Sequence, residues 1–301
     1  MAATHQALTR EARPYVGRFA PSPTGPLHFG SLVAAMASYA DARAADGRWL
    51  LRIEDVDVPR CSVEAEAQIR AQLAAYGFEH DGEVVRQSER TALYSEALQT
   101  LTRAGDVFVC KCTRAQLSVA ARNAEHETIY PGTCRELHLA DGATRAVRLR
   151  IADDAPEISF VDRCYGLTSQ NVERDVGDFV LRRADGLFAY QLAVVVDDAL
   201  QGVTDVVRGA DLLGNTARQI VLQQRLGYPT PRYLHVPIVR NANGEKLSKQ
   251  TRAAAIDEDR ALPTLVEAWQ FLKQDDLGKV RTIADFWARA VSTWTPERLS
   301  H

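Results

Sequence analysis

Residues 20–26, Ala-Pro-Ser-Pro-Thr-Gly-Pro, place three prolines and a glycine within one short stretch. Each proline fixes φ and removes a backbone donor, so neither a helix nor a sheet ladder can run through it. A rigid loop is dictated at this point, and its flanks decide the fold. Tyr15 to Phe19 (YVGRF) reads as a short strand, and from Ser31 the run SLVAAMASYADARAA is rich in helix formers, with Ser31 placed to cap it. Trp49 to Ile53 (WLLRI) is apolar except for Arg52 and ends on the acidic tip Glu54-Asp55-Val56-Asp57. That is the pattern of a buried parallel strand delivering carboxylates at its C-terminal edge. Strand, loop, helix and strand form a βαβ unit, which requires a parallel sheet covered by helices.

Helical spacing returns over Val63 to Tyr76 and Thr91 to Ala104, so residues 14–105 read as one α/β half. Between 106 and 185 the texture changes to a cysteine cluster, a turn at Pro131-Gly132 and short alternating segments. Ala146 to Ile151 among them is expected as a half-exposed strand. This stretch reads as an inserted α+β domain. Leu187 to Val196 (LFAYQLAVVV) resumes a buried strand or strand-helix pattern, Asp211 to Leu226 an N-capped helix and His235 to Val239 a last strand. The α/β half is therefore expected over 14–105 and 186–255. Residues 256–301 follow as a helical C-terminal segment carrying three of the four tryptophans.

Composition enters mainly by exclusion. With 46% hydrophobic and 25% charged residues over 301 positions, the chain is an ordinary globular one. A net charge of -3 rules out a polyelectrolyte and leaves partners unspecified. No apolar run approaches the ~20 residues of a membrane span, and the first residues lack the apolar core of a secretory signal. A cytoplasmic protein without membrane association is expected.

Two loops and one cluster carry chemistry. The loop from Ala20 to Ser31 contains Gly25, His28 and Gly30 and opens onto a helix N-terminus, whose unpaired N–H groups and partial positive charge suit a phosphate. Far along the chain, Lys246-Leu-Ser-Lys249 follows Asn243-Gly244 in a polar loop with two ammonium groups and a hydroxyl. Neither a Walker A sequence nor GxGxxG occurs, so a nucleotide would be held by another device. Cys110, Cys112 and Cys134 lie within 25 residues, and thiolates at such spacing suit a structural zinc ion with four ligands. The fourth is open, with His126 and His138 the conventional candidates nearby. Isolated Cys61 and Cys164 read as small buried apolar residues.

A His-containing strand-helix loop paired with a distant Lys-x-Ser-Lys loop resembles the ATP-holding elements of class I aminoacyl-tRNA synthetases. Arg18-Phe-Ala-Pro-Ser-Pro-Thr-Gly-Pro-Leu-His-Phe-Gly-Ser31 is similar to the HIGH signature of the glutamyl subgroup, agreeing at its first and third positions. Leu51 to Asp57, Tyr190 to Asp198 and Gly202 to Asp211 resemble further glutamyl-tRNA synthetase strings, in order, so the likeness covers about residues 14–255. The chain stops at His301, short of the helical region with which the full-length enzymes bind anticodons, so no anticodon-binding domain is expected. Short length, the Lys-Leu-Ser-Lys-Gln250 form of the loop and Cys-x-Cys followed by Tyr-x-x-x-Cys resemble the glutamyl-Q tRNA(Asp) synthetases.

That resemblance implies a Rossmann-like parallel sheet with an inserted zinc-bearing, RNA-contacting domain. It implies an ATP-dependent ligase that converts L-glutamate to glutamyl-adenylate and transfers it to queuosine at the anticodon wobble position of tRNA(Asp). The implied partners are the queuosine-containing anticodon stem-loop, glutamate and ATP with Mg(2+), beside one structural Zn(2+). The implied catalytic groups are His28, Lys249 and Lys246, with ATP on His28, Gly30 and Lys249. Glutamate falls to Arg18, Ser22, Glu54, Tyr190 and Arg208, and the metal to Cys110, Cys112, Tyr130 and Cys134. An arginine pairs bidentately with a carboxylate, and a glutamate carboxylate suits the substrate ammonium. The rivals are a truncated glutamyl-tRNA synthetase charging a tRNA 3′ end, a small-molecule adenylating ligase and a non-catalytic RNA-binding module.

Overall fold

The computed structural model describes residues 14–123, 128–151, 157–241, 244, 247 and 254–300. Strand β1 (Val16–Phe19), helix α1 (Phe29–Ala44) and strand β2 (Arg48–Ile53) form the βαβ unit, with β1 and β2 parallel. The helix begins earlier than Ser31 because His28, extended at φ -113° and ψ 172°, caps it, its side chain accepting from the Ser31 N–H. Helix α2 (Val63–Ala75) starts on a Ser62 cap with Glu64 and Glu66 in its first turn, where the helix dipole favours acids. Strand β3 (Val85–Arg86) adds in parallel to β2, and helix α3 (Thr91–Ala104) ends on Gly105 in the left-handed region.

The stretch 106–185 divides. Strand β4 (Val107–Cys110), helix α4 (Arg114–Leu117) and strand β5 (Ala146–Leu149) come first. The hairpin β6 (Ile158–Asp162) and β7 (Gly166–Gln170), helix α5 (Val172–Asp175) and strand β8 (Val180–Arg182) follow. Strands β4, β5 and β8 make an antiparallel sheet, whereas β6 pairs in parallel with a later strand of the α/β half. β5 is buried rather than half-exposed: Val147 and Leu149 belong to the core cluster of Leu181 and Leu192, and Arg148 lies over the Tyr130 ring.

Helix α6 (Tyr190–Leu200) decides between the strand and strand-helix readings of Leu187 to Val196 in favour of the second, with Phe188 bridging Arg182 just before it. Residues 192–198 are buried consecutively, and a helix enclosed on all sides shows no polar stripe to set its period apart from that of a buried strand. Strand β9 (Asp205–Gly209), a 3-10 turn over Ala210–Asn215, helix α7 (Thr216–Leu226) and strand β10 (Arg232–Val236) follow, so the last strand precedes its expected place. β10 pairs in parallel with β9 and β6. Thr204 joins the β1–β2–β3 sheet to the sheet of β7, β6, β10 and β9, its hydroxyl accepting from Val16 N at 2.9 Å and its N–H donating to Val16 O at 2.9 Å.

Helices α8 (Ala261–Phe271) and α9 (Ile283–Thr293) contribute to the same core as α1. Trp287 donates to Tyr76 O and Trp294 to Asp41, so both indoles bury their rings with the N–H satisfied. No helix among the described residues is long and apolar enough to cross a membrane.

Candidate active site and metal cluster

A cavity of about 350 Å³ opens at the C-terminal ends of β1, β2, β9 and β10, beside the starts of α1 and α6. Open α/β sheets place ligands at this edge, because the loops leaving the strands are free to vary there. Arg18, Ser22, His28, Gly30, Glu54, Tyr190 and Arg208 all line it. Residues from four separate stretches of chain thus meet in one place. Lys246 and Lys249 lie outside the described residues. Their neighbour Leu247 lines the cavity with its N–H on Val239 O at 2.9 Å, and Ala255 bridges His28.

His28 shows what its proline-rich approach achieves. Its Nδ1 accepts from Ser31 N at 3.2 Å, so in the neutral ring the proton sits on Nε2 as a donor. A Cβ on Gly30 would come within 3.2 Å of this ring, so the glycine lets the imidazole fold back over the helix start. The arrangement puts a ring donor and helix amides side by side, suited to phosphate oxygens.

Behind the cavity a charge network missed at the level of sequence holds Arg18 and Glu54. Asp198 accepts from Arg18 Nε at 3.1 Å and faces Arg52 Nη2 at 2.8 Å, while Arg52 stands 3.5 Å from Glu54. Arg52 is fully buried and donates to Gln201 at 2.7 Å. Burial raises the Asp198 carboxyl, but the Arg18 and Arg52 charges outweigh it and hold the group below its ordinary value. Glu54 ends the other way: burial pushes it up to about 7, more than Arg52 and Arg18 pull it down. Its Oε1, the atom that faces Arg52, is buried and makes no hydrogen bond among the described residues. Arg52 was detectable as the one charge inside an apolar strand, since such a residue must be paired.

Arg208, 6% exposed, has only neutral hydrogen-bond partners among the described residues. Nε donates to His235 Nε2 at 3.0 Å, Nη1 to Gln219 at 2.9 Å, and Nη2 to Thr216 at 2.9 Å and Leu212 O at 3.3 Å. A buried cation lining a cavity without a bonded carboxylate calls for an anion from outside the protein.

The cysteine cluster is separate from this cavity. The sulfurs of Cys110, Cys112 and Cys134 lie within 4.8 Å of one another, with Cys112 and Cys134 3.5 Å apart. The Tyr130 hydroxyl sits 3.4 Å from Cys110 Sγ and 3.6 Å from Cys112 Sγ, and accepts from Cys134 N at 2.8 Å. A tetrahedron with metal–sulfur bonds of about 2.3 Å and a metal–oxygen bond of about 2.0 Å has sulfur–oxygen edges of about 3.5 Å. The three sulfurs could hold a metal ion, and the Tyr130 distances to Cys110 and Cys112 are of that length. His138 is exposed on a left-handed turn at φ 45° and outside the group; His126 lies outside the described residues. Cys61 and Cys164 are half-buried rather than buried and stand apart from the cluster.

Residues 15–275 match the family described as tRNA synthetases class I (E and Q), catalytic domain. A glutamyl-Q tRNA(Asp) synthetase of Thiobacillus denitrificans is 59% identical over 253 residues, 84% of this chain and 83% of its own. That of Dechloromonas aromatica is 55% identical over 287 residues, 94% of each chain. In fold, the chain superimposes on the glutamate-tRNA synthetase of Elizabethkingia anophelis with a TM-score of 0.78 at 22% identity, over 95% of this chain and 66% of that one. The chain belongs to the class I tRNA synthetases of the E and Q type, in the family of the glutamyl-Q tRNA(Asp) synthetases.

Proposed function

We propose that the protein activates L-glutamate with ATP and transfers the glutamyl group to queuosine at the anticodon wobble position of tRNA(Asp). The observation that carries the amino-acid part is the pairing of opposite charges in one cavity: Arg208, a buried cation with neutral partners among the described residues, and Glu54, a buried carboxylate whose Oε1 makes no hydrogen bond there and faces Arg52 at 3.5 Å. Glutamate supplies an anion for the first and an ammonium for the second. Arg18 and Ser22 from the first loop and Tyr190 from α6 complete the walls.

In this reading a glutamate carboxylate oxygen attacks the α-phosphorus of ATP, the bond to the β-phosphate breaks and pyrophosphate leaves. No covalent enzyme intermediate is required, so the protein acts by positioning and charge stabilisation. The His28 Nε2–H and the amides near Gly30 meet the phosphates, Lys249 closes over them with Lys246 beside it, and Mg(2+) accompanies the nucleotide. A queuosine hydroxyl oxygen then attacks the glutamyl carbonyl carbon, the bond from that carbon to the AMP phosphate oxygen breaks with its electron pair on AMP, and the hydroxyl proton passes to the leaving phosphate or to water.

Cys110, Cys112, Tyr130 and Cys134 would hold one Zn(2+). With four protein ligands the ion has no open position and supplies folding energy rather than chemistry. Transfer of labelled glutamate tests the whole reading. Queuosine-containing tRNA(Asp) should accept it, whereas tRNA(Asp) lacking the modification and tRNA(Glu) should not. Charging of a tRNA 3′ end with no transfer to queuosine would replace this reading with that of a glutamyl-tRNA synthetase.

A further inference from the structure

Arginine nitrogens only donate hydrogen bonds, so the contact of Arg208 Nε with His235 Nε2 fixes the protonation of the imidazole: Nε2 is bare and the ring proton is on Nδ1. Nδ1 lies 2.7 Å from Asp162 Oδ2, and both side chains are fully buried. The carboxylate is itself immobilised. It accepts from the backbone N–H of Cys164 and Tyr165 at 3.0 Å each and from His235 N at 3.1 Å. Three adjacent strands, β6, β10 and β9, thus each contribute one member of a hydrogen-bonded chain that ends at the cavity. Thr216 and Gln219 of α7 hold the outer guanidinium nitrogens, and one hydrogen of Nη1 has no acceptor among the described residues.

We propose that Asp162 and His235 are positioning residues that set the plane of the Arg208 guanidinium for the substrate carboxylate, a proposal that rests on Arg208 being a glutamate ligand. Neither touches the substrate. A buried carboxylate costs folding stability, and here it gives a fixed tautomer: with Asp162 accepting at Nδ1, the imidazole cannot turn an N–H toward Arg208, where two donors would oppose each other. Burial, with the Arg208 charge alongside, keeps His235 below its ordinary value despite the pull of Asp162 and Asp211, so the ring stays neutral and Nε2 remains an acceptor. Tyr233 supports the same plane, stacked at 15° on His235 and 5.7 Å from the Arg208 guanidinium carbon.

ATP–pyrophosphate exchange by the full chain separates positioning from packing. His235→Leu keeps the volume and removes the acceptor, and should raise KM for glutamate about tenfold while KM for ATP and kcat stay within about twofold. His235→Gln can accept from Arg208 and donate to Asp162 at once, and should restore KM to within about threefold of wild type. Equal losses in the two variants, or a fall in kcat at unchanged KM for glutamate, would overturn the proposal. Arg208→Ala is the control on the underlying reading. If it leaves KM for glutamate unchanged, Arg208 is not a ligand; if it raises KM while His235→Leu does not, the positioning role alone fails. Should the Leu variant not fold, ¹⁵N NMR of the wild-type imidazoles decides. An Nδ1–H tautomer at His235 near neutral pH is expected, and an Nε2–H or imidazolium form would reject the chain of bonds.

Discussion

Glu54 is held between two opposing demands: burial favours its neutral form, while its proposed role as acceptor for an ammonium requires the charged one. With its carboxyl at about 7 in the ligand-free protein, the group is half protonated close to neutrality. Glutamate binding then becomes pH-dependent with a definite sign. Below about pH 7 the carboxylate must first lose a proton, so kcat/KM for glutamate should fall by up to about tenfold per pH unit. Above it the profile should be level. Glu54→Gln should bind glutamate weakly and flatten this limb, and a level wild-type profile between about pH 6 and about pH 8 would refute the assignment. Individual cavity residues were legible in the sequence because their strings resemble a known pattern. Their supports were not: Asp198 and His235 gain meaning from partners more than 70 positions away, Arg18 and Asp162, which no local spacing encodes.

At the scale of elements, the sequence revealed the βαβ unit and helix α3 because their periodicity and breakers are strong, and blurred whatever is buried on all sides. Helix α6 resembles a strand for that reason, and β5 resembles a half-exposed strand because its polar residue, Arg148, is buried over a tyrosine. The cysteine spacing pointed to a cluster, but only the fold brings the Tyr130 hydroxyl within 3.4 Å of Cys110 Sγ and 3.6 Å of Cys112 Sγ. Without an ion, burial pushes the Cys112 thiol up to about 11. Burial also raises Cys134, but hydrogen bonds from Tyr130, the Lys111 backbone and the neighbouring thiols bring it to about 7. One zinc per chain is expected by metal analysis, lost in Cys110→Ser/Cys112→Ser with faster amide exchange in the β4–β5–β8 sheet and an intact ATP site. Tyr130→Phe should weaken zinc by at least about tenfold. Metal-free wild-type protein, or zinc retained by Tyr130→Phe and lost on His138→Ala, would count against this ligand set. The C-terminal helices give a second test. Gly77 has φ 74°, and a Cβ there would lie 2.4 Å from Ile283 Cγ2 at the start of α9. Gly77→Ala should therefore cost more than about 2 kcal/mol by denaturant unfolding, through strain and displacement of α9 together. A loss under about 0.5 kcal/mol would mean that α9 docks loosely.

For the molecule as a whole, the small antiparallel sheet is tied to the cavity's rim. Ala189 N donates to Leu181 O at 2.8 Å immediately before Tyr190, and Arg183 lies 3.3 Å from Asp57 on the acidic tip after β2. The cysteine cluster, built on β4 and packed against β5 through Tyr130 and Arg148, is thereby placed on the same body as the cavity. Anticodon loops suit entry into the cavity, because unpaired bases can be splayed out of the stack and presented singly. An isolated tRNA(Asp) anticodon stem-loop carrying queuosine should therefore accept glutamate at a rate within about threefold of the intact tRNA. The same stem-loop without queuosine, and an isolated tRNA(Glu) acceptor stem, should accept none. Because protein contacts to RNA phosphates release condensed counterions, apparent affinity for the stem-loop should fall steeply between about 50 mM and about 200 mM salt. Glutamate affinity, set inside the cavity, should change far less, since buried pairs are weakly screened. A stem-loop that is inert while intact queuosine-containing tRNA(Asp) is a good substrate would show that contacts beyond the anticodon arm are needed, and would move the docking surface away from the rim of the small sheet.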